Sequence, residues 1–122
     1  MGNYKKATLY KMDEMESVCP PKHINTDTFT LTPEETGVKR FVLFCSEIHP
    51  GGEAEADVHP GREHCYFMIS GTGEATVDGE KFTVRPGNCL WIPPDAEHGI
   101  KPVGGQTIRF VVVTAPAPWV EV

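Results

Sequence analysis

The sequence lacks a long apolar run. No stretch approaches the roughly 18–20 consecutive apolar residues that a membrane-spanning helix needs. The N-terminus, MGNYKKATLYKMDEM, has no apolar segment of the kind that forms the middle of a secretory signal. These two absences predict a cytoplasmic protein that does not have a membrane as its partner.

Positive charge is also scarce. The chain has 11 lysine and arginine residues against 17 aspartate and glutamate residues, and its formal net charge is −6 at pH 7. Nucleic acid and anionic membrane surfaces would repel such a chain as a whole. We therefore expect no nucleic-acid partner.

Paired cysteines are missing as well. Cys19, Cys45, Cys65 and Cys89 are scattered along the chain, and no CxxC spacing occurs. In a reducing compartment such cysteines are expected to remain free thiols that pack as small apolar residues in or near strands. The sequence therefore predicts no disulfide framework.

Turn-forming residues, in contrast, are plentiful. The chain has 12 glycines and 11 prolines in 122 residues, and they are spread along its length. From residue 39 onwards, short apolar or alternating segments are separated by these residues. The predicted strands cover 40–48, 53–59, 64–71, 74–84 (a hairpin turning at Asp78-Gly79), 89–94 and 106–115, with HPGG at 49–52 as a turn. About eight such strands predict an all-β jelly roll or small barrel.

The first 37 residues follow a less regular pattern. The double proline at 20–21 excludes a continuous helix. A strand is expected at Thr28–Leu31, and TPEETG at 32–37 is expected to form a turn or one short helical turn that ends at Gly37. We predict a single domain in which an extension, residues 1–37, packs one or two strands on the barrel or on a partner. The barrel itself is expected over 38–118.

A group of metal-ligand side chains lies in the middle of the chain. Asp57 and His59 are two residues apart, so they would share one face of a strand, and His64 follows a Pro-Gly turn. Imidazole and carboxylate groups that converge in this way suit a divalent transition metal. A histidine in a strand is, however, more often a hydrogen-bonded or surface residue than a ligand.

Two motifs in order resemble those of the cupin family. The first motif is matched by Gly51, five residues, Asp57-Val58-His59, four residues, His64, six residues and Gly71. The second is matched by PGNCLWIPPDAEH, with Gly87-Asn88, Pro93 and His98. The resemblance covers about residues 40–115 and implies a double-stranded β-helix, the jelly-roll barrel of cupins.

The resemblance also implies a metal site on Asp57, His59, His64 and His98. Asp57 replaces the first histidine of the family motif and His64 replaces its glutamate, so three imidazoles and one carboxylate remain. The implied cofactor is one divalent transition metal per chain, and Fe, Mn, Ni, Cu and Zn are not distinguished. The other interpretation is that Asp57 marks a site that has lost its metal.

Further residues have weaker claims on a site. Tyr66 and Met68 alternate with His64 and should point inwards, where they would either line a pocket or form ordinary core. Arg109 could anchor a substrate carboxylate, or its side chain could lie on the outside of the barrel. His23 and His49 fall in predicted turns and are expected to be structural or solvated.

The leading functional hypothesis is a metal-dependent cupin enzyme acting on a small polar organic molecule, of the oxygenase, isomerase, decarboxylase or lyase type. The alternative is a non-catalytic cupin module that binds a small metabolite or a metal. We also expect a homodimer in which the N-terminal strand lies across the partner's sheet.

Overall fold

A computed structural model describes residues 6–122 and shows an all-β fold whose sheet closes almost completely into a barrel, as predicted. The strands are β1 (His23–Thr30), β2 (Val42–Asp57), β3 (Glu63–Ser70), β4 (Thr72–Val77), β5 (Glu80–Val84), β6 (Cys89–Ile92), β7 (His98–Val103) and β8 (Ile108–Ala115). Two single 3-10 turns, Met12–Glu14 and Glu34–Thr36, precede β1 and β2. None of the helices within residues 6–122 is long and apolar enough to cross a membrane.

The sheet has the order β5-β4-β7-β2-β8-β3-β6, and β1 is added alongside β2. Every neighbouring pair is antiparallel. Alternation along β8 shows how the core forms, because Ile108, Phe110, Val112 and Thr114 are buried while the residues between them are only partly covered. The side chains at this period of two face the barrel interior.

The β4–β5 hairpin turns at Asp78-Gly79, as the sequence predicts. Both residues have positive φ, 46° and 83°, which is the backbone of the tight turn that matches the twist of paired strands. Gly37, in the left-handed region at φ 86°, ends the short 3-10 turn.

The turn predicted at HPGG is wrong. β2 runs without interruption through residues 49–52. Gly51 has φ 82°, and the pairing with β1 shifts register between Ile24 and Thr26. Such an irregularity bends a strand but does not reverse the direction of the chain, as a turn would. As a result, β2 pairs with β8 over Val42–Ile48 and then with β7 through Ala54 and Asp57.

The N-terminal extension contributes β1 to the barrel of its own chain. β1 pairs with β2 along its length, and inside the sheet the hydroxyls of Thr28 and Ser46 lie 3.0 Å apart. A bridge between Val18 and Thr28 ties the preceding segment to β1. The division at residue 37 and any contact of this strand with a partner chain stay predictions.

Candidate metal centre

Three histidines converge inside the barrel. His59 lies in the connection after β2, His64 in β3 and His98 at the start of β7. One ligand nitrogen from each lies within 4.8 Å of the other two, and the ring centroids are 4.9–5.1 Å apart. The structure thus brings together residues that are up to 39 positions apart in the sequence.

Two of these imidazoles are held by hydrogen bonds on the side away from the cluster. His98 Nδ1 donates to the Ala96 carbonyl at 2.9 Å, because a carbonyl oxygen can only accept. His64 Nδ1 is 2.8 Å from the Thr114 hydroxyl oxygen. A hydrogen bond at one ring nitrogen fixes the orientation of the ring and leaves the other nitrogen for a metal.

The nitrogens that face the cluster lack partners. Within residues 6–122, His64 Nε2 and His59 Nδ1 are buried without a hydrogen-bond partner. Leaving a buried polar atom unpaired costs about 1–3 kcal/mol. A metal ion bound between the rings would accept these lone pairs, so the donor set fits a transition metal.

The environment favours the neutral form of His64 and His59. Burial, reinforced by His98 and His59, lowers the pKa of His64 to about 3. Burial and then His98 also lower the pKa of His59, while Asp57 acts in the opposite direction. Neutral imidazole is the form that binds metal ions, so at neutral pH these two residues need no deprotonation before they bind one.

Asp57 lies beside the cluster, behind His59. Its carboxylate oxygens are 3.6 Å from His59 Nε2 and 3.4 Å from Lys22 Nζ, and one of them accepts the Val58 N–H at 2.8 Å. Among the described residues, the group of converging ligand atoms comprises the three histidines and leaves Asp57 outside it. Burial acts to raise the pKa of Asp57, but the Val58 N–H and Lys22 together lower it.

Asp57 and His59 do not lie on one strand as expected, although their side chains are neighbours, with a carboxylate oxygen 3.6 Å from Nε2. β2 ends at Asp57, which is the register partner of His98, and His59 follows in the irregular connection. His59 is therefore free to turn towards the other imidazoles. Direct binding of a metal by Asp57 stays a prediction.

The histidines line a cavity of about 470 Å³. Its walls are largely apolar and include Phe44, Tyr66, Phe110 and Val112. The Tyr66 ring centroid is 6.5 Å from that of His64 and 6.3 Å from that of His98. Burial raises the pKa of Tyr66, so its phenol stays protonated at neutral pH. An apolar cavity with a few converging polar groups is typical of small-molecule sites.

Met68 and Arg109 do not line this cavity. Met68 is 1% exposed and belongs to the apolar core cluster. Arg109 alternates with the buried Ile108 and Phe110 and so faces outwards. Its Nε is 3.5 Å from a carboxylate oxygen of Glu47. Of the three weaker candidates, Tyr66 is the one that lines the cavity.

The sequence analysis missed His23, which also lines the cavity. Its Nδ1 donates to the Pro21 carbonyl at 2.8 Å. The predicted strand began at Thr28, whereas β1 begins at His23. The irregularity after Ile24 hides the alternation that would have pointed to an inward-facing histidine.

Both terminal segments frame the cavity. Val18, Pro20 and Pro118 contribute to its lining. Arg62, in the same connection as His59, donates to the carbonyls of residues 116, 117, 118 and 120 at 2.7–3.3 Å. This guanidinium ties the C-terminal segment to the connection that carries His59.

The antiparallel barrel and its three inward-facing imidazoles place this chain among small β-barrel proteins with a candidate metal site. Residues 44–114 match the cupin domain family, and the chain belongs to this family. The solved structure of the polyketide cyclase RemF from Streptomyces resistomycificus superimposes with a TM-score of 0.79 at 27% identity, covering 89% of this chain and 79% of that one.

Two curated relatives extend this comparison. The chain is 30% identical over 86 residues to the polyketide synthase CurC of Streptomyces cyaneus, covering 70% of this chain and 56% of that protein. It is 35% identical over 83 residues to the dimethylsulfoniopropionate lyase DddW of Ruegeria pomeroyi, covering 68% and 53%. The matches span about half the length of these two relatives.

Proposed function

We propose that this protein is a metal-dependent enzyme that acts on a small oxygen-bearing organic molecule bound in the cavity. The observation that carries the proposal is the pair of unpaired, buried nitrogens, His59 Nδ1 and His64 Nε2, in a three-histidine cluster lining that cavity. A protein without a ligand for these atoms would have to bear their desolvation without compensation.

The residues of the chain have separable roles in this proposal. His59, His64 and His98 would hold one divalent transition metal, which supplies Lewis acidity towards an oxygen atom of the substrate. Thr114 and the Ala96 carbonyl orient two of the rings. Asp57 is placed to orient the third through His59 Nε2, as carboxylates commonly do behind metal-bound histidines.

The cavity favours a compact substrate. Phe44, Phe110 and Val112 offer apolar walls, while Tyr66 keeps a phenol hydrogen that can be donated to an oxygen atom. A substrate with a carbonyl or carboxylate group on an apolar body satisfies both kinds of surface. The names of the relatives, a polyketide cyclase and a lyase, support a reaction on such a molecule. We place the reaction in the oxygenase, isomerase, decarboxylase or lyase class.

Metal analysis of protein purified without chelator tests the site. We expect about one transition-metal ion per chain, lost in large part from His59→Ala and His98→Ala. His49→Ala is the matched control, because His49 instead contacts Asp27 and Thr107 at 2.7 and 3.1 Å. Full retention of metal in both cluster variants would show that the site is wrongly placed.

Turnover assays test the enzymatic part. Metal-loaded and chelator-stripped protein would be incubated with hydroxyaromatic acids and dicarbonyl compounds, with oxygen uptake and product masses recorded. Turnover should need the metal and should fall in Ala54→Leu, which fills a buried position lining the cavity while leaving the three histidines in place. Stoichiometric metal and ligand binding without turnover would favour the alternative, a non-catalytic cupin module.

The homodimer and the cytoplasmic location remain proposals from the sequence. In the dimer, the N-terminal strand region would contact the partner's sheet in addition to its own. Light scattering at tens of micromolar should give twice the chain mass of 13.4 kDa. A monomer mass would contradict the dimer without affecting the metal site.

A further inference from the structure

Two cysteines lie side by side on the outer surface of the barrel. In the antiparallel pairing of β3 with β6, Cys65 is opposite Trp91 and Phe67 is opposite Cys89. Cys65 and Cys89 are therefore diagonal neighbours on one face of the sheet. This face points outwards, because His64 and Tyr66, which alternate with Cys65, are buried inside.

The two thiols are neighbours in the strand register and can be reached from solvent. Both cysteines are free; Cys65 is half-buried and Cys89 is exposed. On the same face lie the exposed Phe67 and Trp91 and the carboxylate of Glu63, which accepts the Trp91 Nε1–H at 2.8 Å.

We propose that Cys65 and Cys89 together form a binding site for a soft, thiophilic metal ion of the Cu(I) type. Thiolate sulfur is the ligand that selects such ions over the harder ones that imidazole and carboxylate bind. On binding, each thiol gives up its proton to solvent and each sulfur forms one bond to the ion. No electron is transferred in this step.

The spacing favours a bridging ion over a disulfide. Diagonal neighbours in an antiparallel pair have Cα atoms about 7–8 Å apart. A relaxed disulfide spans at most about 6.8 Å between Cα atoms. An ion inserted between the sulfurs lengthens the bridge by one further bond, so the strands need not move.

The thiol pair is separate from the histidine cluster. His64 and Cys65 are adjacent in β3 but point to opposite faces, one into the barrel and one out of it. The two sites also differ in donor chemistry, with neutral imidazole inside and thiolate outside. The inference therefore does not depend on the proposed enzymatic function.

Anaerobic titration of the reduced protein with Cu(I), in competition with a chromogenic Cu(I) chelator, tests the proposal. We expect about one Cu(I) per chain with an ultraviolet sulfur-to-copper charge-transfer band, which imidazole ligands do not produce, in addition to any Cu(I) taken up by the histidine cluster. The band should disappear in Cys65→Ser and in Cys89→Ser. It should persist in Cys19→Ser, which removes another exposed thiol.

Two results would overturn the proposal. One is a charge-transfer band that survives both serine substitutions. The other is a Cys65–Cys89 disulfide, detected by peptide mass mapping after mild oxidation, in a protein whose reduced form shows no sulfur-to-copper charge-transfer band with Cu(I). Circular dichroism checks folding, and Cys89→Ser alone decides the matter if Cys65→Ser fails to fold, because Cys89 is the exposed member of the pair.

Discussion

Thr114 lies directly opposite His64 in the register of β8 and β3, and its hydroxyl oxygen is 2.8 Å from His64 Nδ1. Both side chains are buried, at 4% and 6% exposure. This contact holds the ring so that its other nitrogen faces the cluster. Thr114 is therefore a positioning residue for the candidate metal centre, because the register of β3 and β8 places it opposite His64.

Replacing Thr114 with valine should weaken metal binding without removing a ligand. The shape is nearly conserved, but His64 Nδ1 loses its partner, so affinity should fall about 10–100-fold and stability by about 1–3 kcal/mol. Thr28→Val, which breaks the buried Thr28–Ser46 contact, is the control. It should lower the free energy of unfolding comparably but leave metal affinity unchanged. Equal metal affinities of Thr114→Val and wild type would contradict the positioning role.

Asp57→Asn distinguishes a ligand from an orienting group. Because Asp57 lies behind His59, the substitution should lower metal affinity about tenfold, less than His98→Ala does. Asp27→Asn, which alters the carboxylate next to His49, is the matched control and should have no effect on metal affinity. Metal content and competition titration provide the measurements. A loss as complete as that of His98→Ala would mean that Asp57 binds the metal directly, restoring the four-ligand set.

The metal-free protein should become less stable as the pH falls below 6.5. The pKa of His64 is about 3 in the folded state and about 6.5 when unfolded, so the unfolded chain takes up this proton first. Each pH unit between these values should cost about 1.4 kcal/mol for this residue. The lowered pKa of His59 adds a contribution of the same sign.

Urea unfolding of chelator-treated protein at pH 7 and pH 5 measures this dependence. His64→Gln should show a shallower decline, because one of the groups that titrate differently in the two states has been removed. If the free energy of unfolding fell equally between pH 7 and pH 5 in wild type and His64→Gln, His64 would not be held neutral by its surroundings.

Two glycines with positive φ should respond very differently to alanine. At Gly71, with φ 78°, a Cβ atom would overlap the Thr107 carbonyl oxygen and lie 3.0 Å from Ile108 Cα. Gly71→Ala should therefore lower the free energy of unfolding by about 2–4 kcal/mol. Gly79 has φ 83° and open space around it. Gly79→Ala should therefore lower the free energy of unfolding by only about 1 kcal/mol. Chemical denaturation would contradict this account if the two costs were equal.

The sequence was most informative where a pattern is local. The Asp78-Gly79 hairpin and the alternation in β8 follow from turn chemistry and a period of two, and both are present. HPGG misled because its glycine and proline residues are typical of turns, whereas β2 continues through residues 49–52 as an unpaired irregularity between two segments that both pair with β1.

The site was predictable as a set of residue types but not as an arrangement. Local spacing indicated His59 and His64, the resemblance to the cupin motifs added His98, and the three converge. The position of Asp57 depends on where β2 ends, and the inward position of His23 depends on an irregularity in β1. Both features arise from pairing between strands distant in sequence, so no local pattern records them.

The change of partner along β2 has a thermodynamic consequence. Since β2 pairs with β8 at one end and with β7 at the other, it connects the strands that place His64 and His98. An unfolded chain holds these residues 34 positions apart and offers no comparable site. An ion that binds only the native state shifts the folding equilibrium by mass action, adding about 2.7 kcal/mol when its free concentration is 100 times the dissociation constant. The fraction of folded chain should therefore depend on the supply of metal, and the melting temperature should rise with metal concentration.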